Sequence, residues 1–336
     1  MFVNSDKYIK YLKIWLITLF SLIVSMIAVG GLTRLTDSGL SITTWELFSG
    51  IFPPLNDQQW DEYFFKYKQI PEYKNINFGM SLSEFKIIFY WEYAHRLLAR
   101  LVGLFSLLPL IIFYLKFNNT KYYSNKYFLI FILICLQGFV GWYMVSSGLI
   151  KNNDVSHFRL SIHLALALFL ICLIFWFLLD LFKINKYKIK QSNYLLFFIL
   201  IIIVLQIILG AFLSGLDGGL IYNTWPSMNE KFYPNDVNLY DYLNLKAFYN
   251  PSIIQFFHRI LAYILLLLTI ILNYFFFKTK LDIKDILIFD LAIFLQVILG
   301  IITLLSGVQI QYASLHQLGS IFVLSSYSLI LYKNFN

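Results

Sequence analysis

The chain contains five histidines, and four of them, His95, His163, His258 and His316, lie inside long apolar runs. An ionisable side chain in such a run is costly and normally faces the interior of a helix bundle. Imidazole is a good ligand for iron, copper and zinc. A zinc site gathers three or four protein ligands, whereas two separated pairs can each clamp one metal carried by a flat macrocycle. Haem ligation needs nothing more local in sequence than one histidine on each of two helices. The bland alternative is that each imidazole only bonds a neighbouring helix, and four at repeated positions weigh against it. His157, beside Ser156 and Arg159, has no counterpart in the second half. It reads as an interfacial histidine, with a proton shuttle as the alternative.

Glu92 precedes His95 by three residues, so both share one face of a helix. The matching position in the second half is Gln255. A carboxylate beside a ligating histidine can move protons or steady positive charge on a reacting group. Otherwise it is an exposed acid near a helix start, where the dipole favours it. One half therefore looks equipped for chemistry and the other for holding a cofactor. Arg96, Arg100 and Arg259 follow the histidines. Guanidinium suits carboxylates such as haem propionates, and it can equally snorkel to the interface.

These side chains need positioning elements. Of 336 residues, 59% are hydrophobic and 13% charged, against about 25% charged in soluble domains. Lipid is the solvent for most of this chain. Eight apolar runs fall near residues 14–33, 86–115, 126–147, 158–182, 193–214, 251–277, 284–306 and 311–332. Each reaches or approaches the roughly 20 residues that a bilayer requires, and backbone polar groups in lipid are satisfied within a helix. No alternating strand pattern of a barrel occurs. The net charge of +8 comes from lysines between the runs, such as Lys10, Lys13, Lys183, Lys186 and Lys278. That places the excess on the inner side of a membrane and not on nucleic acid. Acids gather in the other connections, for example Asp57, Asp61 and Glu62. The expectation is an all-α polytopic membrane protein of eight transmembrane helices with both termini cytoplasmic. The first run lacks a small-residue cleavage site and reads as a retained helix. Cys135 and Cys172 lie inside apolar runs as small fillers,.

The halves echo each other. Thr36-Asp37-Ser38-Gly39-Leu40, followed by Thr44-Trp45, returns 180 residues later as Leu216-Asp217-Gly218-Gly219-Leu220, followed by Thr224-Trp225. His95-Arg96 returns as His258-Arg259, and Gln137 with Gly141 returns as Gln296 with Gly300. This is a four-helix unit and its parallel copy, the kind of internal repeat common in membrane folds. The expected units are two pseudo-symmetric four-helix bundles, 14–182 and 193–332. One helix intervenes between the two histidine helices of each unit, so those helices are parallel and their imidazoles reach one depth. Gly30, Gly31, Gly141, Gly210 and Gly300 read as sites of close helix packing.

Taken together and in order, these residues resemble the haem A synthase family. The carrying segments are Gly30 to Ser41, Glu92-Tyr93-Ala94-His95-Arg96, Leu160 to Leu164 around His163, Gly215 to Gly219 with Asn223 to Pro226, Gln255 to Arg259 and Leu315-His316-Gln317. The resemblance spans about residues 14 to 332. It implies a membrane oxidoreductase that oxidises one ring methyl of haem O to the formyl group of haem A for cytochrome oxidase. It implies haem b between His258 and His316 as cofactor, and haem O as substrate between His95 and His163, with Glu92 as the catalytic residue. It further implies an inner-membrane location and the subgroup, shared by mitochondria and related bacteria, that lacks outer-loop cysteines. The alternative is a di-haem electron-transfer subunit without turnover. An electron donor, haem O synthase and further copies of the chain are the partners left open, beside the lipid bilayer itself.

Overall fold

The structure is a computed structural model that describes residues 5–116, 121–151, 154–187, 193–279 and 283–335. Eight helices in it are long and apolar enough to cross a membrane. They are α1 (Ser5–Leu35), α4 (Leu82–Lys116), α5 (Lys121–Lys151), α6 (His157–Leu181), α7 (Asn193–Gly215), α8 (Pro251–Thr279), α9 (Ile283–Leu305) and α10 (Ile310–Asn334). Two shorter helices, α2 (Asp57–Tyr67) and α3 (Pro71–Asn75), belong to the first long connection. The protein is thus all-helical and multi-pass. It divides into two compact units, Met1–Leu170 and Ile171–Asn336, with the boundary inside α6.

In the first unit α4 packs on α1 and α5. A capping box starts α4: the Ser81 amide donates to Glu84 Oε2 at 2.8 Å and the Glu84 amide to Ser81 Oγ at 3.3 Å,. Pro109 lies inside α4. It has no N–H to give the carbonyl one turn earlier, and that carbonyl, Phe105 O, accepts instead from Trp15 Nε1 of α1 at 2.7 Å. In lipid an orphaned carbonyl costs several kcal/mol, so this tryptophan settles where α1 crosses α4. At the far end of α1, Asp37 adopts a left-handed φ of 47°, and Asp217 after α7 does the same at 50°. Short polar side chains tolerate that region best after glycine.

Between α1 and α4 the chain builds a lobe of its own. Asn56 caps α2 by accepting from the Gln59 amide at 2.9 Å. Trp60, Phe64 and Tyr67 form its buried face, packed with Leu40, Ile42, Ile70, Tyr73, Phe85, Ile88 and Phe89. One carboxyl is buried there. Glu72 accepts from Tyr67 Oη at 2.8 Å and from Asn77 Nδ2 at 3.4 Å.

Burial pushes Glu72 up to about 8. The Tyr67 hydroxyl opposes this, and the charges of Glu92, Asp154 and Asp37 add to it. The folded lobe therefore holds this proton more tightly than the unfolded chain. Its stabilising contribution is complete below the ordinary carboxylate value and disappears as pH rises through about 8,. The cost on the alkaline side is roughly 3 to 5 kcal/mol. Hydrogen exchange in α2 and α3, corrected for intrinsic rates, is expected to accelerate between about pH 5 and 8 and to level off above that,. Glu72→Gln is expected to flatten that dependence, and an unchanged slope would exclude Glu72 as its cause.

In the second unit α7, α8, α9 and α10 close a ring, each packing on the next and α10 returning to α7. Tyr327 Oη of α10 donates to Leu196 O of α7 at 2.6 Å. A buried ion pair joins the ends of α9 and α10: Lys333 Nζ lies 2.6 Å from Asp285 Oδ2, which also accepts from Tyr187 Oη at 2.7 Å.

Candidate functional site

Each histidine of the four spans stands against a glycine on the span before it. A Cβ built on Gly30 would lie 3.0 Å from His95 Nε2. One on Gly141 would lie 2.9 Å from His163 Cε1, one on Gly210 3.2 Å from His258 Cε1, and one on Gly300 2.9 Å from His316 Cε1. The glycines are therefore seats for imidazoles, a more specific role than the helix packing expected of them. One turn before three of these glycines stands a glutamine. Gln137 Nε2 donates to His163 O at 3.0 Å and lies 3.3 Å from His163 Nε2. Gln206 Nε2 lies 3.3 Å from His258 Nε2, and Gln296 Nε2 donates to His316 O at 2.8 Å. Gln206 was not visible as part of a pattern, although the constant Gln-x-x-x-Gly spacing carried it.

In the second unit the rings of His258 and His316 have centroids 6.4 Å apart and planes at 82°. One metal bonded at about 2 Å to a nitrogen of each ring fits in that gap. In the first unit His95 and His163 are close enough for their charges to interact. Nδ1 of His163, His258 and His316 is buried without a hydrogen-bond partner. A buried polar atom left unpaired is expensive, and an unspent imidazole nitrogen is what an axial ligand offers. Among the described residues no group of three or more His, Cys, Asp or Glu could hold a metal ion. Each pair could supply two ligands, and a metal that brings its remaining ligands in a porphyrin plane would match that donor set.

Glu92 is buried, with 2% of its surface exposed, ten residues into α4. The exposed helix-start reading is therefore wrong. Its Oε2 accepts from Ser41 Oγ and the Ile42 amide, each at 2.8 Å. Its Oε1 accepts from Arg96 Nε at 2.9 Å. Arg96 continues to Thr44 O at 2.8 Å and Ile42 O at 2.7 Å. Arg100 holds Glu46 O and Leu47 O. So Glu92, Arg96 and Arg100 form a ladder that fastens residues 41–47 along α4, and Arg96 is spent on the loop, neither snorkelling nor open to a propionate. The second unit repeats the device without the carboxylate. Gln255 Nε2 donates to Tyr222 O at 3.1 Å, and Arg259 reaches Tyr222 O at 3.0 Å and Ser227 O at 3.1 Å. Arg100 Nη1 and Arg259 Nε remain buried without partners, donors open to a carboxylate.

His157 is 6% exposed and lies at the first position of α6. Cys135 and Cys172 are free thiols.

A multi-pass helical membrane protein with imidazoles seated on glycine, and with a buried carboxylate on the helix face of one of them, has the donor set that a metal macrocycle would require. The comparison with known sequences gives that class its family. This chain belongs to the COX15-CtaA family of cytochrome oxidase assembly proteins, whose model matches residues 13–328. It is 71% identical over 336 residues to the Heme A synthase of Pelagibacter ubique, covering 100% of both chains. It is 43% identical over 333 residues to the Heme A synthase of Rickettsia bellii, covering 96% of this chain and 98% of that one. To the Heme A synthase of Wolbachia pipientis it is 41% identical over 321 residues, covering 94% and 91%.

Proposed function

We propose that this chain is a haem A synthase of the inner membrane, oxidising the methyl substituent of haem O to a formyl group. The observation that carries the reading is the pair of facing imidazoles His258 and His316, with a second pair in the other unit that alone has a carboxylate, Glu92, on its helix face. His258 and His316 hold haem b, and His95 and His163 hold the substrate. Bound iron supplies the redox chemistry. The chain's own residues do the rest. Gly30, Gly141, Gly210 and Gly300 set the rings, Arg96 fixes the direction of Glu92, and Glu92 takes a proton or steadies positive charge beside the reacting methyl. Arg100 and Arg259 offer their spare N–H groups to carboxylates of the macrocycle. The lysine distribution puts both termini in the cytoplasm, and an electron donor outside the chain is the redox partner. An electron-transfer subunit would have no use for a carboxylate in one half only.

The test is the haem composition of protein purified from cells with and without haem O synthase. Haem b with haem A, alone or beside residual haem O, is expected when that enzyme is present, and haem b alone when it is absent. Protein without a Soret band, or haem O left unconverted by an otherwise intact chain, would overturn the reading.

A further inference from the structure

The four histidines are not equally supported. Three have a glutamine one helical turn before the glycine that seats the ring: Gln137 and Gly141, Gln206 and Gly210, Gln296 and Gly300. The amide of each reaches its histidine, at the ring nitrogen, the backbone carbonyl or both. The fourth seat is Gly30, and the residue one turn before it is Met26. Met26 and Gln206 stand 180 residues apart, the offset that relates the two outer-loop motifs. In α1 as in α7 the two positions share one face, since residues four apart are neighbours on a helix. The ring of His95 therefore meets the Gly30 backbone, and its seat has a methionine at the helix position where the other three have a glutamine that reaches the histidine.

We infer that Met26 makes His95 the exchangeable one of the four ligands, and that Gln137, Gln206 and Gln296 are positioning residues that make the other three permanent. The inference rests on the haem-ligation reading above. An outer partner that fixes a ligating histidine is worth about 10- to 100-fold in affinity. A thioether has no N–H to donate and accepts weakly. It fills space without orienting a ring. The difference falls where function needs it. A resident cofactor wants both ligands fixed, and both histidines of the second unit have their glutamines, His258 at the ring and His316 at the backbone carbonyl. A substrate has to arrive and its product has to leave. In the first unit His163 keeps Gln137 and holds on, while His95 lets go.

The two equivalent positions can be exchanged. Full-length protein is purified from cells that also make haem O synthase, reduced with dithionite and exposed to carbon monoxide, which binds only iron that has released a protein ligand. The parent is expected to react at one haem of its two. Met26→Gln is expected to lower the reactive fraction about 10-fold or more, while Met26→Leu, equally apolar and without an amide, leaves it as in the parent. Gln206→Met is expected to make the second haem reactive as well, and to shift its midpoint potential. Equal reactivity in the parent and in Met26→Gln, with the Soret band retained, would overturn the inference while leaving the haem-ligation reading intact. An unreactive second haem in Gln206→Met would do the same. A parent with no bound haem would remove the reading beneath it.

Discussion

Gly141→Ala and Gly300→Ala are each expected to weaken haem retention about 10- to 100-fold, while Gly138→Ala leaves it unchanged. Gly138 and Gly141 lie three residues apart on α5. A Cβ at Gly138 meets nothing within 4 Å, whereas one at Gly141 would lie 2.9 Å from His163 Cε1. Propensity alone predicts that alanine strengthens the helix by up to about 1 kcal/mol at either position. The whole difference between the two variants therefore reports the ring. At Gly141 and Gly300 the imidazole has to give way by several tenths of an ångström. Gln137 and Gln296 hold the backbone carbonyls of those histidines, so the adjustment falls on the side chain. Overpacking of this kind costs about 1 to 3 kcal/mol, and on the proposed haem ligation it would displace a ligand from its iron. Haem per polypeptide after size-exclusion chromatography is the measurement. Full haem in Gly141→Ala, equal to that in Gly138→Ala, would mean that ring position at this seat does not govern binding.

How far the sequence led can be read from individual elements. The eight spans were legible to within a few residues, because lipid forces each crossing to be a long apolar helix. The run expected near 193–214 is Asn193–Gly215, and that near 284–306 is Ile283–Leu305. The lobe between α1 and α4 was not anticipated, although its signal was present. Trp60, Phe64 and Tyr67 are spaced four and three apart after the cap residue Asn56, a short amphipathic pattern overshadowed by the spans around it. The Glu92–Arg96 ladder was beyond reach for a different reason. Its partners, Thr44 O and Ile42 O, are backbone carbonyls some fifty positions away, and nothing in a side-chain alphabet marks which carbonyl an arginine will find. The glutamine partners lay between these cases. Gln137 and Gln296 were visible as echoes, and only the packing of Gly210 against His258 brings Gln206 into the same set.

Glu92→Gln is expected to leave a folded, haem-loaded protein whose formation of haem A falls about 100- to 10,000-fold, the usual worth of a positioned acid or base. The structural objection is that Glu92 is a clamp first, since Ser41, Ile42 and Arg96 take both its oxygens. Gln255 answers it. At the matching place in the second unit an amide holds the loop through Tyr222 O while Arg259 approaches Gln255 Oε1 at 3.4 Å. The fold therefore tolerates glutamine in this role, at about 1 to 3 kcal/mol for whichever loop donor goes unpaired. What glutamine lacks is the charge and the exchangeable proton. If Glu92 only fastens the loop, haem A formation will fall in proportion to the amount of folded, haem-loaded protein. If it acts on the substrate, the ratio of haem A to haem O will collapse while haem b per polypeptide stays near the parent value. Glu92→Asp separates the two further, because it keeps the charge and shortens the reach. Partial recovery of the ratio by aspartate, with glutamine inactive, is the pattern expected of a carboxylate that works on the reacting group. Recovery by glutamine with loss in aspartate would assign Glu92 to the clamp alone, and would leave the two units without a chemical difference at this position.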